Sequence, residues 1–365
     1  MRLRNRLGTG LVAAIVGVAL VATACGKSSK SSSSNGTTGT TTAQVACATG
    51  TITGAGSTFV QTIAQQWIKD FQAKCSGATI NYQGVGSGAG ITQFNAGTVD
   101  FGASDAVMKP EEEAAAKAKG GDVLHIPWSA GGIAIEFHLS GVTDLKLSPD
   151  TLAGIFAGTV KTWNASEIKA DNSGASLPST PIQVVHRSDG SGTTNAFTSY
   201  MTAVSPTIWK AGAGKDVPWP TGQGAKGSDG VTAAVKQTDG AIGYAEVSYA
   251  KGSGLGIASI KNASGSYVQP DADAVAAALA EATVPADLKI VPNFKPADAK
   301  AYPISIPTWA IVFAKPADAA KGKLLKAFLA YAVDQGQSAA KGLYYAPLPK
   351  DLQDKVKAAV ESIQA

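Results

Sequence analysis

Histidine and cysteine are scarce in this sequence of 365 residues, which contains three of each. None of His125, His138 and His186 stands at ligand spacing from a cysteine pair, and the sequence therefore predicts neither a bound metal nor a resident cofactor. The motif H-E-x-x-H is missing, and no G-x-S-x-G motif surrounds Ser57, Ser87 or Ser191. The sequence thus offers little support for a hydrolase.

A long hydrophobic run near the amino terminus is also missing. Three arginines among the first six residues precede an apolar stretch over 11–21, which is shorter than the ~20 residues that a membrane span requires. Small residues then lead into Cys25. This order is typical of a secretory signal over 1–24, and the position of Cys25 resembles the lipobox of bacterial lipoproteins, whose cysteine is acylated. A plain signal peptide with an incidental cysteine is the alternative.

The segment after Cys25 has almost no apolar side chains. Residues 26–42 are nearly all serine, threonine, glycine and lysine. Such a composition cannot bury a core and is typical of a flexible linker. We therefore expect 25–46 to be a tether that is held at one end by a lipid anchor.

The sequence carries no large excess of one charge. Removing residues 1–24 with their three arginines lowers the formal net charge from +4 to +1. No block of lysine and arginine suggests binding to nucleic acid. If the protein binds an anion, local groups rather than a basic surface have to do so.

Two cysteines remain when Cys25 is set aside, and an even pair outside the cytoplasm predicts a disulfide. Cys47 would lie at the start of the first strand and Cys75 at the end of the helix that follows it. A compact β-α unit could bring the two together. Two separate buried thiols are the alternative.

Strand-like runs lead repeatedly into glycine-rich turns and then into helical patterns. The first strand, over 51–53, precedes a helix with Ile63, Trp67 and Phe71 on one face. This alternation predicts an α/β fold with largely parallel sheets, in which ligands bind beyond the carboxyl ends of the strands. Roughly 320 residues follow the tether, which predicts two lobes. Two separate strands are expected over 123–127 and 132–139.

Three glycine- and hydroxyl-rich segments stand at strand-to-helix junctions. Backbone N–H groups at helix N-termini, hydroxyl groups and one guanidinium are donors suited to a tetrahedral oxyanion. Each segment alone is also typical of a tight turn or a helix N-cap, and Arg187 alone could pair with Asp189 on the surface. Their joint placement predicts an oxyanion site built from Ser57, Thr58, Ser87, Arg187, Ser191, Gly192 and Thr193.

Four segments carry a resemblance to a known family. They are TGAGSTF (53–59), NYQGVGSG (81–88), VDFGASD (99–105) and RSDGSGT (187–193). In order and spacing they closely resemble segments of the periplasmic-type phosphate-binding proteins of ABC phosphate importers. Segments 224–230 and 240–244 are similar to later landmarks of that family, so the resemblance extends from about residue 48 to the end.

The resemblance implies a two-lobed α/β fold of the type II periplasmic binding protein class, with a ligand cleft between the lobes. Lobe I would comprise 47–127 and 306–365, and lobe II 128–305, with chain crossings near 127–129 and 304–306. Asp189 would orient Arg187. Phosphate would be held by Thr58, Phe59, Ser87, Asp105, Arg187, Ser191, Gly192 and Thr193.

The resemblance also implies a role in transport rather than catalysis. The protein would capture inorganic phosphate as a monomer, anchored by lipid on the extracytoplasmic face of the cell membrane. Closure of the lobes would bury the ligand. The protein would then deliver phosphate to the permease subunits of an ABC importer, whose ATPase is a separate chain.

Asp105 gives this expected site a means of selecting its ligand. A carboxylate repels an anion unless the anion donates a hydrogen to it. Phosphate at neutral pH still carries at least one O–H group, whereas sulfate carries none. Because polar sites reject analogues that lack the matching group by ~10⁴ or more, we expect Asp105 to exclude sulfate. Without the family resemblance, a helix cap would be an equally good interpretation of Asp105.

Two enzymatic functions are the alternatives. Segment 84–89, GVGSGA, fits the pattern G-x-G-x-x-G/A after a strand, and Asp105 lies near the distance expected of a ribose-binding acid. This pattern is typical of a nucleotide-dependent oxidoreductase, although export and the hydroxyl-rich loop at 187–193 argue against that function. An exported phosphatase would need a metal or a nucleophile that the sequence does not offer.

Overall fold

The computed structural model describes residues 45–365, and Val45–Ala365 form one compact unit. The predicted signal peptide (1–24), the predicted acylation site Cys25 and the tether up to residue 44 lie outside the described residues. Within the described part of the chain, no helix combines the length and the apolar character needed to cross a membrane.

The strands of residues 45–365 range from two to 16 residues in length. They are β1 (Gly50–Gly56), β2 (Ala78–Gly84), β3 (Phe101–Ser104), β4 (Val123–His138), β5 (Lys146–Leu147), β6 (Gln183–Arg187), β7 (Gln223–Ala225), β8 (Ala241–Glu246), β9 (Gly256–Ile257), β10 (Ser259–Lys261), β11 (Tyr267–Val268), β12 (Ser305–Phe313) and β13 (Tyr345–Ala346).

The helices alternate with these strands over much of the chain. They are α1 (Gln61–Lys74), α2 (Ser87–Ala96), α3 (Pro110–Gly120), α4 (Pro149–Phe156), α5 (Ser166–Asp171), α6 (Gly192–Val204), α7 (Gly227–Gln237), α8 (Val247–Ser253), α9 (Ala272–Ala280), α10 (Ala319–Val333) and α11 (Lys350–Glu361), with 3₁₀ turns at Gln335–Ala339 and Lys341–Leu343.

One large sheet runs through the unit in the order β2-β1-β3-β12-β4-β8-β6-β7, and β5, β10 and β11 form a small separate sheet. The outer strands pair in parallel, as β1 does with β2 and β3, and as β6 does with β7 and β8. The central strand β12 is antiparallel to β3 and β4, and β4 is antiparallel to β8. The sheet is therefore mixed, whereas the alternation of strands and helices predicts largely parallel pairing.

Strand β4 connects two halves of this sheet. It pairs with β12 from Val123 to Gly132, and with β8 from Ile133 to His138. We call β2, β1, β3, β12 and β4 up to Gly132 the first half, and the rest of β4 with β8, β6 and β7 the second half. In this two-lobed α/β fold, β4 therefore runs without a break from one half of the sheet into the other. The boundaries 47–127, 306–365 and 128–305 remain a prediction.

The prediction of two strands between 123 and 139 is wrong, because β4 is continuous there. Gly131 and Gly132, which lie within this strand, allow close packing. A Cβ on Gly131 would stand 2.8 Å from the ring of Phe59, and one on Gly132 would stand 2.6 Å from Cβ of Pro270. Pro127 lies beside the irregularity in β12 between Thr308 and Trp309. Bulges are places where a sheet tolerates proline.

Helix α1 has the apolar face that the sequence predicts. Ile63, Trp67 and Phe71 are fully buried, and the indole N–H of Trp67 donates to the carbonyl of Gly336 over 2.8 Å. Burial of large apolar side chains contributes about 1.5–3 kcal/mol each. The helix is thereby held firmly against the core, and so is the loop that precedes it.

Cys47 and Cys75 flank β1 and α1 and are joined by a disulfide, with a Cα–Cα distance of 5.3 Å. The bond ties the start of the first strand to the end of the first helix.

Candidate functional site

The loop that joins β1 to α1 contains Ser57, Thr58 and Phe59, all of them buried. The backbone N–H of Phe59 donates to Oγ of Ser57 over 3.0 Å. The hydroxyl of Ser57 in turn donates to Oδ1 of Asp105 over 2.6 Å. Asp105 follows β3, which lies beside β1 in the sheet. The carboxyl ends of the two neighbouring parallel strands therefore bring these groups together.

The carboxylate of Asp105 is held by three hydroxyl groups. Its Oδ1 accepts from Ser57 and, over 2.8 Å, from Thr308 of β12. Its Oδ2 accepts from Thr193 over 3.3 Å. A carboxylate offers about four lone-pair positions, so Oδ2 retains one for a further donor. The arrangement suits a ligand that brings its own hydrogen.

Burial raises the pKa of Asp105 to about 6, because desolvation penalises the charged carboxylate. The hydroxyl donors of Ser57, Thr308 and Thr193 and the positive charge of Arg187 oppose that rise. At pH 7 the carboxylate form therefore predominates, and Asp105 is a strong hydrogen-bond acceptor rather than a donor.

Arg187 ends β6 on the second half of the sheet, and it is 3% exposed. Its Nε and one terminal nitrogen donate to the two oxygens of Asp189 over 2.7 and 2.5 Å. The other terminal nitrogen donates to Oγ1 of Thr58 over 3.2 Å. Arg187 thus reaches from the second half of the sheet to the loop that follows β1.

Asp189 is the group that fixes the orientation of this guanidinium. Burial would raise the pKa of its carboxyl, but the hydrogen bonds and charge of Arg187, with an N–H from Gly227, hold the pKa below its ordinary value. Asp189 is therefore ionised at neutral pH. The guanidinium carries more N–H donors than these contacts use, so others remain for a ligand.

The N-termini of α2 and α6 meet beside Asp105. Oγ of Ser87, the first residue of α2, accepts from the N–H of Asp105 over 3.3 Å, and Ser191 caps α6 by accepting from the N–H of Thr194 over 3.1 Å. Both hydroxyl hydrogens can therefore be donated to a ligand. A Cβ on Gly192 would stand 2.5 Å from Oγ of Ser87, so only glycine permits this approach.

All residues of the predicted phosphate site lie in this one cluster. Thr58, Phe59, Ser87, Asp105, Arg187, Ser191, Gly192 and Thr193 come from four loops, with Asp189 behind Arg187. The donors are mostly neutral, and helix N-termini add partial positive charge. Such a cluster is suited to a small anion. The roles of these residues in binding an anion remain a prediction.

Two polar contributors were missed by reasoning from the sequence. Oγ of Ser228 lies 2.8 Å from Oγ1 of Thr58, and the N–H of Ser228 donates to the same oxygen over 3.2 Å. Thr308 supports Asp105 from β12. Ser228 had a usable signal, since it follows β7 and Gly227 at the start of α7, as Ser87 follows β2 and Gly86. Thr308 had none, because a hydroxyl within a strand has no local pattern.

A family model for the periplasmic binding protein (PBP) superfamily domain matches residues 41–335. The chain is 37% identical to phosphate-binding protein PstS3 of Mycobacterium bovis (strain BCG / Pasteur 1173P2) over 98% of this chain and 99% of that protein. The chain belongs to the PstS phosphate-binding protein family. Phosphate-binding protein PstS of Pasteurella multocida (strain Pm70) is 41% identical over 84% of this chain and 89% of the relative.

Solved structures of phosphate-binding proteins have the same fold. The high-affinity periplasmic phosphate-binding protein PfluDING, solved with bound phosphate, has a TM-score of 0.72 and 25% identity over 85% of this chain and 93% of its own. A phosphate ABC transporter substrate-binding protein from Clostridium perfringens has a TM-score of 0.61 and 22% identity, covering 82% of this chain and all of its own. The two-lobed α/β fold of the periplasmic binding protein class, which the sequence resemblance implies, is confirmed.

Proposed function

We propose that this chain captures inorganic phosphate outside the cytoplasm and delivers it to the permease of an ABC importer. The observation that carries the proposal is the environment of Asp105. Three hydroxyl groups hold its carboxylate and leave one acceptor position in a cluster of donors. Phosphate is an oxyanion that accepts hydrogen bonds from such donors. It also carries an O–H group that can donate to the carboxylate of Asp105.

The ligand would be held by groups from both halves of the sheet. The first half contributes Thr58, Phe59, Ser87 and Asp105, and the second half contributes Arg187, Ser191, Gly192 and Thr193. Asp189 would keep the guanidinium of Arg187 in place. Contacts from both halves would close the site around phosphate, which supports capture from dilute solution.

Selection against sulfate follows from the charge of Asp105. A phosphate O–H would donate to Oδ2 of this carboxylate, whereas sulfate would place an anionic oxygen against it without a hydrogen. An unpaired buried charge costs several kcal/mol. The proposal is therefore a site for phosphate rather than for oxyanions in general.

Binding without catalysis accords best with the residues present. No group of His, Cys, Asp and Glu able to hold a metal ion occurs among residues 45–365. The relatives are named as phosphate-binding proteins, which disfavours the alternatives of an oxidoreductase or an exported phosphatase. An aryl phosphate that is bound and not hydrolysed would support this reading.

The location and partners complete the proposal. Cys25 would carry the lipid after removal of 1–24, and 25–46 would tether a monomer to the extracytoplasmic face of the cell membrane. The protein would dock on the importer's permease subunits, whose ATPase is a separate chain. Mass spectrometry of the native N-terminus tests the acylation directly.

Substitution of Arg187 tests the proposed site. Arg187→Ala removes the guanidinium and leaves Asp189 buried without its partner, so phosphate affinity should fall about 10-fold to 100-fold, as for loss of a charged hydrogen bond. Isothermal titration calorimetry measures the dissociation constant. Lys210→Ala is a matched control, because Lys210 is exposed and, among residues 45–365, its amino group donates to the carbonyl of Pro206. An unaltered dissociation constant in Arg187→Ala would remove this residue from the site.

A further inference from the structure

Three tyrosine hydroxyl groups donate to three consecutive backbone carbonyls in the loop after β1. Tyr82 donates to the carbonyl of Ser57 over 2.6 Å. Tyr249 donates to the carbonyl of Thr58 over 2.7 Å, and Tyr345 donates to the carbonyl of Phe59 over 2.5 Å. The three side chains come from β2, α8 and β13, and they converge on one loop of the proposed anion site.

The planarity of the peptide bond connects these carbonyls to the site. In a trans peptide the C=O of one residue and the N–H of the next lie in one plane and point in opposite directions. Holding the carbonyls of Ser57, Thr58 and Phe59 therefore holds the N–H groups of Thr58, Phe59 and Val60 on the opposite side. The N–H of Phe59 also donates to Oγ of Ser57 over 3.0 Å, so a bound anion would share this donor with Ser57. A carbonyl oxygen repels an anion, and an N–H group attracts it. The three hydroxyls thus determine which pole of each peptide group faces the site.

The tyrosines are well suited to hold this orientation. Burial raises the pKa of each hydroxyl, so all three remain protonated donors at any physiological pH. The ring of Tyr345 packs edge-on against Phe59, and that of Tyr82 stacks on Phe101. Removal of a hydroxyl would therefore leave these two rings in place.

Tyr249 differs from Tyr82 and Tyr345 in the part of the fold to which it belongs. It lies in α8, directly after β8 of the second half of the sheet, whereas Thr58 follows β1 of the first half. Its neighbour Ser248 also donates across, to Oγ1 of Thr62 over 3.0 Å. The bond from Tyr249 therefore links the two halves at the site itself.

We infer that Tyr82, Tyr249 and Tyr345 form a tyrosine clamp that presents the backbone N–H groups of residues 58–60 to the bound anion. These are positioning residues, since they act on the ligand only through the peptide groups they hold. The inference rests on the proposed function, because it assigns these N–H groups a phosphate to bind. It adds three side chains to the site that do not contact the ligand.

The clamp is tested with single Tyr→Phe variants of the three positions. Each should weaken phosphate binding about fivefold to tenfold in calorimetry, the expected effect of losing one hydrogen bond. In ¹⁵N–¹H spectra without phosphate, Tyr82→Phe should shift chiefly the amide of Thr58, Tyr249→Phe that of Phe59, and Tyr345→Phe that of Val60. The pattern of shifts shows which peptide group each hydroxyl holds, and the loss of affinity shows that those groups bind phosphate.

Tyr302→Phe is the matched control. Tyr302 is fully buried, and its hydroxyl also donates to a backbone carbonyl, that of Ile133, over 2.6 Å. It should lower thermal stability about as much as the other variants and leave both phosphate affinity and the amides of 58–60 unchanged. If Tyr345→Phe does not fold, the two other variants decide.

Two outcomes would overturn the clamp. The first is that the wild-type protein binds phosphate and the three Tyr→Phe variants bind it equally tightly. The other is an equal loss of affinity in Tyr302→Phe. Failure of the wild-type protein to bind phosphate would instead contradict the proposed function, and the amide shifts in the free protein would still show whether the tyrosines orient the loop.

Discussion

Two aspartates in one anion site have opposite electrostatic surroundings. Asp189 lies against the guanidinium of Arg187, which outweighs the effect of burial and holds its pKa below the ordinary value. Asp105 has no such direct partner, and burial raises its pKa to about 6. Asp189 therefore neutralises Arg187 permanently, whereas Asp105 keeps an accessible lone pair. At neutral pH the two carboxylates outweigh the one guanidinium, so the carboxylate of Asp105 is left without a countercharge, which favours an anion that brings a hydrogen to it.

The first turn of α3 forms ion pairs with residues that belong to other parts of the fold. Glu112 pairs with Lys215, which lies between α6 and β7, and Glu113 pairs with Lys289 over 2.6 Å. The side chains of Lys215 and Glu112 are only 11% and 23% exposed, so solvent screens their pair less than a surface pair. The carbonyl of Lys215 also accepts from the N–H of Ser191 over 2.8 Å. Helix α3 is thus connected to the start of α6 at the site.

Glu112→Gln should therefore speed the release of phosphate, by about threefold to tenfold at low salt. The reason is that the ion pair links α3, beside the first half of the sheet, to a loop of the second half. Stopped-flow tryptophan fluorescence measures the release rate. High salt should accelerate the release of phosphate from the wild-type protein. The difference in release rate between the wild-type protein and Glu112→Gln should then become smaller.

The control for this prediction is Glu111→Gln, which removes a charge from the same turn. Glu111 is 71% exposed, and its nearest basic group is 4.0 Å away. Release should be unchanged in this variant. An identical release rate in Glu112→Gln and the wild-type protein at low salt would show that the ion pair does not hold the site closed.

At the scale of the whole molecule, local patterns predict much of the fold and most of the site. Glycine, serine and threonine after strand-like runs indicate where helices begin, and the spacing of Ile63, Trp67 and Phe71 indicates which face of α1 is buried. Long-range pairings have no such pattern. The antiparallel placement of β12 and β4, the continuity of β4 and the contact of Thr308 with Asp105 depend on residues about 200 positions apart. Sequence periodicity alone cannot supply them.

The second half of the fold also contains a buried acid that sequence reasoning did not find. Glu136 of β4 is fully buried, and its carboxyl group accepts from the hydroxyl of Thr232 over 2.9 Å. Burial raises its pKa to about 8, with Thr232 opposing part of the rise. Glu136 is therefore mostly protonated in the folded protein at pH 7.

This shift predicts how stability depends on pH. Because the folded pKa is raised, the folded state keeps a proton that the unfolded state releases above its ordinary pKa of about 4.5. The contribution to stability is then complete below pH 4.5 and is lost as pH rises to about 8. Glu136→Gln should remove this dependence, a change on the order of a few kcal/mol between pH 5 and 9.

Urea unfolding at both pH values measures the effect, with Glu111→Gln as the control for an exposed glutamate. The difference in unfolding free energy between pH 5 and 9 should be smaller in Glu136→Gln than in the wild-type protein and in the control. Equal differences in all three proteins would show that Glu136 is not protonated in the folded state.

The exclusion of sulfate by Asp105 is the most direct test of phosphate recognition. Calorimetric titrations with phosphate and sulfate at neutral pH should be carried out on the wild-type protein, on Asp105→Asn, and on Asp122→Asn as a control for an aspartate that is 72% exposed. The wild-type and control proteins should prefer phosphate by ~10⁴ or more. In Asp105→Asn this preference should narrow by about 100-fold or more, because the amide no longer repels an anionic oxygen and can donate to it. Unchanged exclusion of sulfate in Asp105→Asn would contradict the account.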